Sequence, residues 1–428
     1  MKKKLLSILL AGVMALGLFG CGSAASDSKN DSSTGTESSA AGDSAETESV
    51  NKDFKVGVIL VGDETEGYSL AHINGITAAA EKLGVPSDNI IWKYKVAEDS
   101  SCADAATDLV GLGCKLIISN SYGHQTHMET VAAEYPDITF IAMTGDRAAI
   151  SGLSNLKNAF TCVYQSRFVT GVVAGMKLQE LIDDGKLSEA NYDADGKIKL
   201  GYVGAYPYAE VVSGYTGFFL GVRSVVENVS MEVTYTNSWF DITAEAEAAN
   251  SLIADGCVII AQHSESTGCP SAIQEAYEKG TVCYNVCYNL DMTAVAPDAA
   301  LTSALNHWVV YYEYAFGCLL NGTDIDTNWC KGYEAGAVGI APLGVSCAEG
   351  TAEKVAEVEE AIKSGELQVF STDNFTVNGQ KLDSYLIDTN GDFVNDDEEA
   401  IWDGVFHESY FRSAPAFDIR IDGITELN

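Results

Sequence analysis

The sequence VGVILV at residues 56–61 decides the fold class, because it holds six residues in a row without a polar side chain. A similar apolar run, LII at residues 116–118, follows further along the chain. Strands that read as continuous apolar runs are typical of parallel sheets covered by helices on both faces. The two runs therefore predict an α/β protein built on helix-covered parallel sheets.

Short β-rich segments alternate with helical patterns of about 10 to 20 residues beyond Lys55, which is typical of βαβ units. The candidate strands are residues 55–61, 115–119, 138–143, 199–203, 231–236, 257–262 and 282–286. The chain beyond residue 52 is long enough for two doubly wound lobes. We assign residues 53–165 to lobe 1, with a returning segment near 285–310 and the C-terminal region. Residues 166–284 are assigned to lobe 2, with part of 310–370, and residues 371–428 to C-terminal strands and a hairpin that pack on the lobes.

The N-terminus has the layout of a bacterial lipoprotein signal peptide at residues 1–20. Lysines at positions 2–4 precede an apolar run over residues 5–19, and Cys21 follows the expected cleavage point. Cleavage would leave Cys21 as a lipidated N-terminus, joined to the lobes by a polar tether at residues 22–52. Ordinary secretion is the alternative, because Phe19 is unusual at its position, and the run is short for a permanent membrane span. We expect lipid anchoring on the extracytoplasmic face of the cell membrane.

Charge and cysteine content limit the partners. The formal net charge is −36 at pH 7, and no basic cluster follows the signal peptide, so a nucleic-acid partner is not expected.

Ten further cysteines follow Cys21 without a CxxC pair, and several lie in apolar segments such as Thr161-Cys162-Val163. Export would permit disulfides. The favoured interpretation is that these cysteines are small buried hydrophobic residues.

Familiar catalytic and metal motifs are missing: no GxxxxGK[ST] loop, HExxH or GxSxG occurs. We interpret His124-x-x-His127 as a solvated helix face. The segment from Asp388 to Glu399 has the oxygen-ligand spacing of a calcium loop, but Phe393 replaces the turn-forming glycine, so an acidic hairpin without an ion is favoured. We expect no metal, no cofactor and no enzymatic activity.

Aromatic and polar residues follow the candidate strands, at the edge where a doubly wound sheet binds its ligand. Such rings can sandwich a planar heterocycle, while amide and carboxyl groups bond its edges. The candidate ligand-binding residues are Tyr68, Tyr122, Trp239, Asp241, His263, Asn289 and Asp291. Structural roles are the alternatives: ring packing for the aromatics, a helix N-cap for Asp241, a satisfied strand-end position for His263, and turns for the last two. For Arg167 the two alternatives are a structural ion pair and a ligand contact.

Five segments together carry a family resemblance. They are residues 164–175 (YQSRFVTGVVAG), 201–207 (GYVGAYP) with Gly214 and Gly221, 238–241 (SWFD), 255–263 (DGCVIIAQH) and 411–415 (FRSAP). Over residues 55–428 the chain resembles the basic membrane protein (BMP) family of ABC-transporter substrate-binding lipoproteins, which includes purine nucleoside receptors. The resemblance implies a type I periplasmic-binding-protein fold, two lobes joined by a three-strand hinge, and capture of a purine nucleoside or base for an ABC permease.

The resemblance also implies roles for single residues. Trp239 is similar to the aromatic residue that stacks on the base in the nucleoside receptors. The loop ending at Tyr68 is similar to their first-strand loop, which also contacts the ligand. Asn289 stands where those receptors carry a ribose-binding Asp, and Asn306 where they carry Lys, which implies a weaker grip on ribose. A free base is therefore expected as a ligand as well as a nucleoside. A ligand-sensing receptor lipoprotein of the same fold is the alternative function, and an extracellular nucleoside hydrolase is less favoured because no catalytic cluster is visible.

Overall fold

The computed structural model describes residues 54–428, so the predictions for the signal peptide, Cys21 and the tether lie outside the described residues. In this range the helices are α1 Gly67–Leu83, α2 Ser100–Gly111, α3 Gln125–Glu134, α4 Val163–Asp183, α5 Ala209–Arg223, α6 Ile242–Ala254, α7 Gly268–Glu278, α8 Trp308–Asn321 and α9 Thr351–Ser364. None of these helices has the length and apolar character needed to cross a membrane.

Most of the strands belong to two large sheets. The strands are β1 Lys55–Ile59, β2 Ile90–Lys93, β3 Cys114–Ser119, β4 Thr139–Met143, β5 Leu156–Thr161, β6 Ile198–Gly204, β7 Val229–Tyr235, β8 Ile259–Gln262, β9 Tyr284–Tyr288, β10 Ala300–Asn306, β11 Asn328–Lys331, β12 Val338–Ile340, β13 Leu386–Ile387, β14 Glu398–Glu399, β15 Ile401–Trp402, β16 Val405–Phe406 and β17 Ile424–Glu426. Strands β13 to β16 form two small antiparallel pairs outside the large sheets.

The sheet of lobe 1 is parallel throughout, in the order β11-β5-β4-β3-β1-β2. Helices α1 and α8 cover one face, where Ile76 and Trp308 are buried in a common core. Helices α2 and α3 cover the other face with Leu109 and Met128. Burial on both faces explains why the strand at residues 56–61 carries no polar side chain.

The sheet of lobe 2 has the order β12-β10-β9-β8-β6-β7-β17, with only β12 antiparallel to its neighbour. Helices α4, α5 and α9 share a core with one face, and α6 and α7 with the other. The chain passes between the lobes three times: from β5 to α4, from β10 to α8 and from β11 to β12. This arrangement confirms two doubly wound lobes joined by three crossovers.

All seven candidate strands are confirmed, with ends that differ by at most two residues from the observed strands. Strands β2, β5, β10, β11 and β12 were not predicted, whereas β17 lies in the region for which C-terminal strands were expected. The sequence placed residues 285–310 with lobe 1, whereas β9 and β10 in this range belong to the sheet of lobe 2. The return to lobe 1 is made by α8 and β11.

Helices α4 and α5 cross at a pair of glycines from the family-like segments. A Cβ atom on Gly171 would lie 2.1 Å from the carbonyl oxygen of Phe218, and one on Gly221 would lie 2.1 Å from that of Phe168. Real side chains do not tolerate such distances, so both positions require glycine. These glycines allow the two helix backbones to touch, and lobe 2 depends on that contact.

Two interpretations from the sequence need correction. His124 does not lie on a solvated helix face: it is buried in the turn before α3, and its Nε2 lies 3.0 Å from the carbonyl oxygen of Val96. Of the ten described cysteines, seven are buried as expected, but Cys162, Cys330 and Cys347 are only half-buried.

The acidic segment near the C-terminus is a hairpin between β13 and β14. The Asp388 carboxylate accepts hydrogen bonds from the backbone N–H groups of Asn390, Gly391 and Phe393. Within residues 54–428 no group of three or more His, Cys, Asp or Glu side chains is arranged to hold a metal ion. The carboxylates of this hairpin therefore stabilise its turn.

A buried glutamate in the C-terminal segment predicts a pH dependence of stability. Glu408 is 3% exposed, its Oε2 accepts a 2.8 Å hydrogen bond from the Phe417 N–H, and burial raises its pKa from 4.5 to about 7. The native state then binds more protons than the unfolded state between pH 4.5 and about 7, so stability falls as the pH rises through that window. We expect Glu408→Gln to remove this loss. Relative to that of the unaltered protein, its free energy of unfolding should be higher at pH 8 than at pH 4.5 by about 2 kcal/mol.

Urea unfolding of both proteins at pH 4.5 and pH 8 measures this effect. Glu247→Gln, at an exposed glutamate of α6, is the control and should show no pH-dependent difference. Equal pH profiles for Glu408→Gln and the unaltered protein would contradict the assignment.

Candidate ligand-binding site

A narrow cavity lies between the lobes, at the carboxyl ends of their strands. Lobe 1 contributes the loops after β1, β3 and β4, and lobe 2 contributes the start of α5 and the loops after β7 and β8. The cavity is lined by Val61, Tyr68, Asn120, Ser121, Tyr122, Thr144, Glu210, Trp239 and Glu265. Its free volume of about 20 Å³ holds about one water, whereas a cavity of about 150 Å³ is known to bind benzene. A heterocycle can therefore enter only if the lobes separate or the lining side chains move.

Three predicted aromatic residues line this cavity. Tyr68 lies at the start of α1, is buried, and donates a 2.5 Å hydrogen bond from its hydroxyl to the carbonyl oxygen of Asn120. The Tyr122 hydroxyl donates a 3.0 Å hydrogen bond to a carboxylate oxygen of Asp146. Trp239 comes from lobe 2 and is half-buried. The rings of the two lobes thus face one space, and their contact with a ligand stays a prediction.

Two tyrosines that the sequence analysis missed lie beside the cavity. The ring centroid of Tyr206 lies 5.2 Å from that of Trp239 and 5.1 Å from that of Tyr208, on which it stacks. Tyr208 also approaches Tyr122 of lobe 1, with 5.9 Å between ring centroids. Both tyrosines follow β6, and Tyr206 belongs to the family-like segment 201–207, so the same strand-end rule could have found them.

The polar edge of the cavity consists of two carboxyl groups that the sequence analysis missed, the half-buried Glu210 and the buried Glu265. Burial raises the pKa of Glu210 to about 7, and nearby Arg167 opposes part of that rise. Burial also holds the pKa of Glu265 well above its usual value, and a hydrogen bond between its carboxyl and that of Glu66 adds to the effect. Two carboxyls that share a hydrogen bond need one proton between them. That proton lies in the contact with Glu66, so the group that Glu265 can offer to a ligand is an acceptor oxygen.

His263 lies behind this edge. It is fully buried, with its Nε2 at 3.2 Å from Glu210 Oε1 and its Nδ1 at 3.4 Å from the Tyr202 hydroxyl. Burial, with the charge of Arg167 as a smaller cause, holds its pKa well below the usual value. A neutral imidazole positions Glu210 and does not line the cavity.

Asn289 and Asn306 form a neutral amide pair next to the crossover from β10. Asn306 Nδ2 donates to Asn289 Oδ1 at 3.0 Å and to the Tyr288 hydroxyl at 3.1 Å. The Thr161 hydroxyl donates to Asn306 Oδ1 at 2.5 Å. Asn289 has a positive φ of 63°, and its Nδ2 is buried without a partner among the described residues. This donor is free for a ligand or a water.

The two predicted aspartates have local roles. Asp241 is exposed and caps α6, accepting from the N–H groups of Thr243 and Ala244 at 3.0 and 2.9 Å, which confirms the N-cap interpretation. Asp291 is exposed and accepts from both the N–H and the hydroxyl of Thr293. Neither residue lines the cavity. Local capping explains both aspartates without a ligand.

Arg167 lies in α4 of lobe 2, and its Nε and Nη2 atoms are buried without a hydrogen-bond partner among the described residues. It is 1% exposed, it donates to the Gln262 carbonyl oxygen at 2.6 Å, and its guanidinium lies 3.9 Å from the ring centroid of Tyr288. A cation over a ring face in a buried site is a favourable contact. No acid forms a salt bridge with it within residues 54–428, in contrast to the structural ion pair weighed from the sequence.

Thr144 gives independent support for a functional site at this place. It follows β4, lines the cavity and has a φ of 62°. A β-branched residue rarely adopts positive φ, and such strain clusters at binding sites.

A wider groove of about 420 Å³ borders Lys197, Arg223 and Asp422. It lies at the amino ends of β6 and β7, opposite to the edge where this kind of sheet binds ligands.

Comparisons with known proteins agree with this architecture. A family model described as ABC transporter substrate-binding protein PnrA-like matches residues 54–373. A purine-binding protein of Brucella abortus is 32% identical over 319 residues, which cover 74% of this chain and 83% of that protein. A putative ABC transporter glucose-binding protein of Haloferax volcanii is 29% identical, with coverage of 84% and 83%.

Solved structures show the same fold. The crystal structure of an ABC transporter solute-binding protein from Aeropyrum pernix K1 matches with a TM-score of 0.60 and 16% identity, and covers 76% of this chain and 94% of that one. The two lobes and three crossovers are those of the type I periplasmic-binding-protein fold. The chain belongs to the Bmp family, the PnrA-like substrate-binding proteins of ABC transporters.

Proposed function

We propose that the protein binds a purine base or nucleoside between its two lobes and delivers it to an ABC permease. The observation that carries the proposal is the cavity itself, where Tyr68 and Tyr122 of lobe 1 face Trp239 of lobe 2 across a polar edge formed by Glu210 and Glu265. Flat rings on two sides suit a planar heterocycle. The relative from Brucella abortus that is described as purine-binding supports the same class of ligand.

The carboxyl groups narrow the ligand chemistry. A protonated carboxyl donates one hydrogen bond and accepts another, which complements a ring nitrogen next to an N–H group, as on the edges of purines. Glu210 lines the cavity and burial raises its pKa to about 7, so its neutral form can present this pattern. The lining residues include no Lys or Arg. A nucleotide phosphate would therefore be buried without a counter-charge, which is costly.

The neutral amide pair favours a free base over a nucleoside. Asn289 and Asn306 stand where the resemblance places a ribose-binding Asp and a Lys. Hydrogen bonds to a charged group are about twice as strong as neutral ones. The Asn289 amide can bond a sugar hydroxyl, but with a smaller gain than a carboxylate offers. We infer that bases bind more tightly than their nucleosides.

Cys21 completes the proposed function. After cleavage, lipid on Cys21 would hold the protein at the extracytoplasmic face of the cell membrane, and residues 22–52 would let the lobes reach the permease. Globomycin treatment of producing cells tests this step, since inhibition of the lipoprotein signal peptidase should leave the uncleaved precursor. Unchanged processing in its presence would contradict lipidation.

Thermal unfolding with a ligand panel tests the binding proposal. Adenine, guanine and hypoxanthine at 100 times Kd should each stabilise the protein by about 2.7 kcal/mol and so raise Tm. Adenosine and inosine should give smaller shifts at equal concentration, and AMP and glucose none. The absence of a shift with every base and nucleoside would contradict the proposal, and a shift with glucose alone would assign a hexose. Release of hypoxanthine from inosine during incubation would indicate a hydrolase.

A further inference from the structure

Two half-buried thiols touch at the hinge. The Sγ atoms of Cys162 and Cys330 lie 3.4 Å apart, although the residues are 168 positions apart in the chain. A disulfide bond has a length of about 2.05 Å, so the two sulfurs need to approach by little more than an ångström. The backbones already adjoin, because the Cys162 N–H donates a 2.9 Å hydrogen bond to the carbonyl oxygen of Lys331.

This pair differs from the other described cysteines because it combines partial exposure with a neighbouring thiol. Seven of the ten are buried. The third half-buried cysteine, Cys347, donates to the carbonyl oxygen of Leu301 at 3.2 Å. Cys162 and Cys330 thus combine partial exposure with a neighbouring thiol.

We propose that Cys162 and Cys330 form a disulfide bond that joins two of the three crossovers. Cys162 lies between β5 and α4, and Cys330 lies in β11 just before the passage to β12. The bond fixes one crossover against the other, and neither cysteine lines the cavity.

The bond forms by exchange with a donor disulfide, such as that of an oxidised thiol outside the cytoplasm. One cysteine, as thiolate, attacks a donor sulfur and releases the first donor thiol, giving a mixed disulfide. The second cysteine attacks the protein-bound sulfur and releases the second donor thiol. The two protein thiols are oxidised, the donor disulfide is reduced to two thiols, and the protons end on those thiols.

Exchange with the donor disulfide is slow for this pair, because a protonated thiol does not attack. The contact with Cys330, together with burial, holds the pKa of the Cys162 thiol well above its usual value. A small thiolate fraction slows attack, so formation requires an oxidising compartment and time. Once formed, the bond closes a loop of more than a hundred residues, and loops of that length give the larger stabilisations.

Mass spectrometry of the full chain tests the proposal. The protein is equilibrated with glutathione disulfide, alkylated with iodoacetamide in denaturant without reductant, and digested. We expect a linked peptide pair containing Cys162 and Cys330, two hydrogens lighter than the separate peptides, which disappears after dithiothreitol. Complete alkylation of both residues after equilibration with glutathione disulfide would overturn the proposal.

Variants identify the partners and the consequence. Cys347→Ser should leave the linked pair intact, whereas Cys162→Ser should leave Cys330 fully alkylated. Reduction should lower the Tm of the unaltered protein by several degrees and leave that of Cys162→Ser unchanged. These readouts need no ligand, so they succeed or fail independently of the proposed purine binding.

Discussion

Gly171→Ala is expected to destabilise the protein by about 3 kcal/mol, a large part of the stability of an ordinary domain. The added Cβ would lie 2.1 Å from the Phe218 carbonyl oxygen and 2.9 Å from the Cα of Gly221. Backbone atoms cannot move aside as a flexible side chain does, so α4 and α5 must separate. Urea unfolding followed by circular dichroism measures the loss.

Gly111→Ala is the matched control. Gly111 is the last residue of α2, it is exposed, and a Cβ there would meet nothing within 4 Å. Alanine is the better helix former by about 1 kcal/mol, so this variant should be unchanged or slightly more stable. Equal losses of stability in the two variants would contradict the close helix contact as the reason for the glycine.

Trp239→Ala is expected to weaken purine binding by about 30-fold or more, because aromatic anchors in a binding cavity contribute about 2 kcal/mol or more. The indole is half-buried and belongs to the loop after β7, so its loss should leave the fold intact. Isothermal titration of adenine into both proteins gives the ratio of dissociation constants.

Phe240→Ala separates a specific contact from a general effect on the loop. Phe240 is the next residue, is 37% exposed and does not line the cavity. Its removal should change the dissociation constant less than threefold, a margin of about 0.7 kcal/mol. A loss as large as that of Trp239→Ala would show that the loop, and not the indole, is required.

The sequence predicts the strands that read as continuous apolar runs, such as β1 and β3. It did not reveal β5, although all six of its residues are buried, because Lys157 and Asn158 interrupt the apolar pattern. Asn158 is satisfied by tertiary contacts: its Oδ1 accepts from the Ala148 N–H at 2.6 Å and its Nδ2 donates to the Ala142 carbonyl oxygen at 2.8 Å. Partners from distant loops cannot be read from a local pattern.

The residues of the candidate site were also predicted only in part from the sequence. The rule that ligands bind beyond the carboxyl ends of strands located Tyr68, Tyr122 and Trp239, which do line one cavity. It missed Glu210, which lies within the first turn of α5, because which side of a helix faces the other lobe depends on how the lobes are placed. Asp291 shows the reverse case, since its short-range bonds to Thr293 look the same in sequence as a ligand contact.

The central claim is that a purine is held between the lobes, and a crystal structure of the protein with adenine tests it most directly. The expected result is electron density for the base between Trp239 and the tyrosines of lobe 1, with one edge bonded to Glu265. Density at another place, density that contacts only one lobe, or none at saturating adenine would contradict the claim.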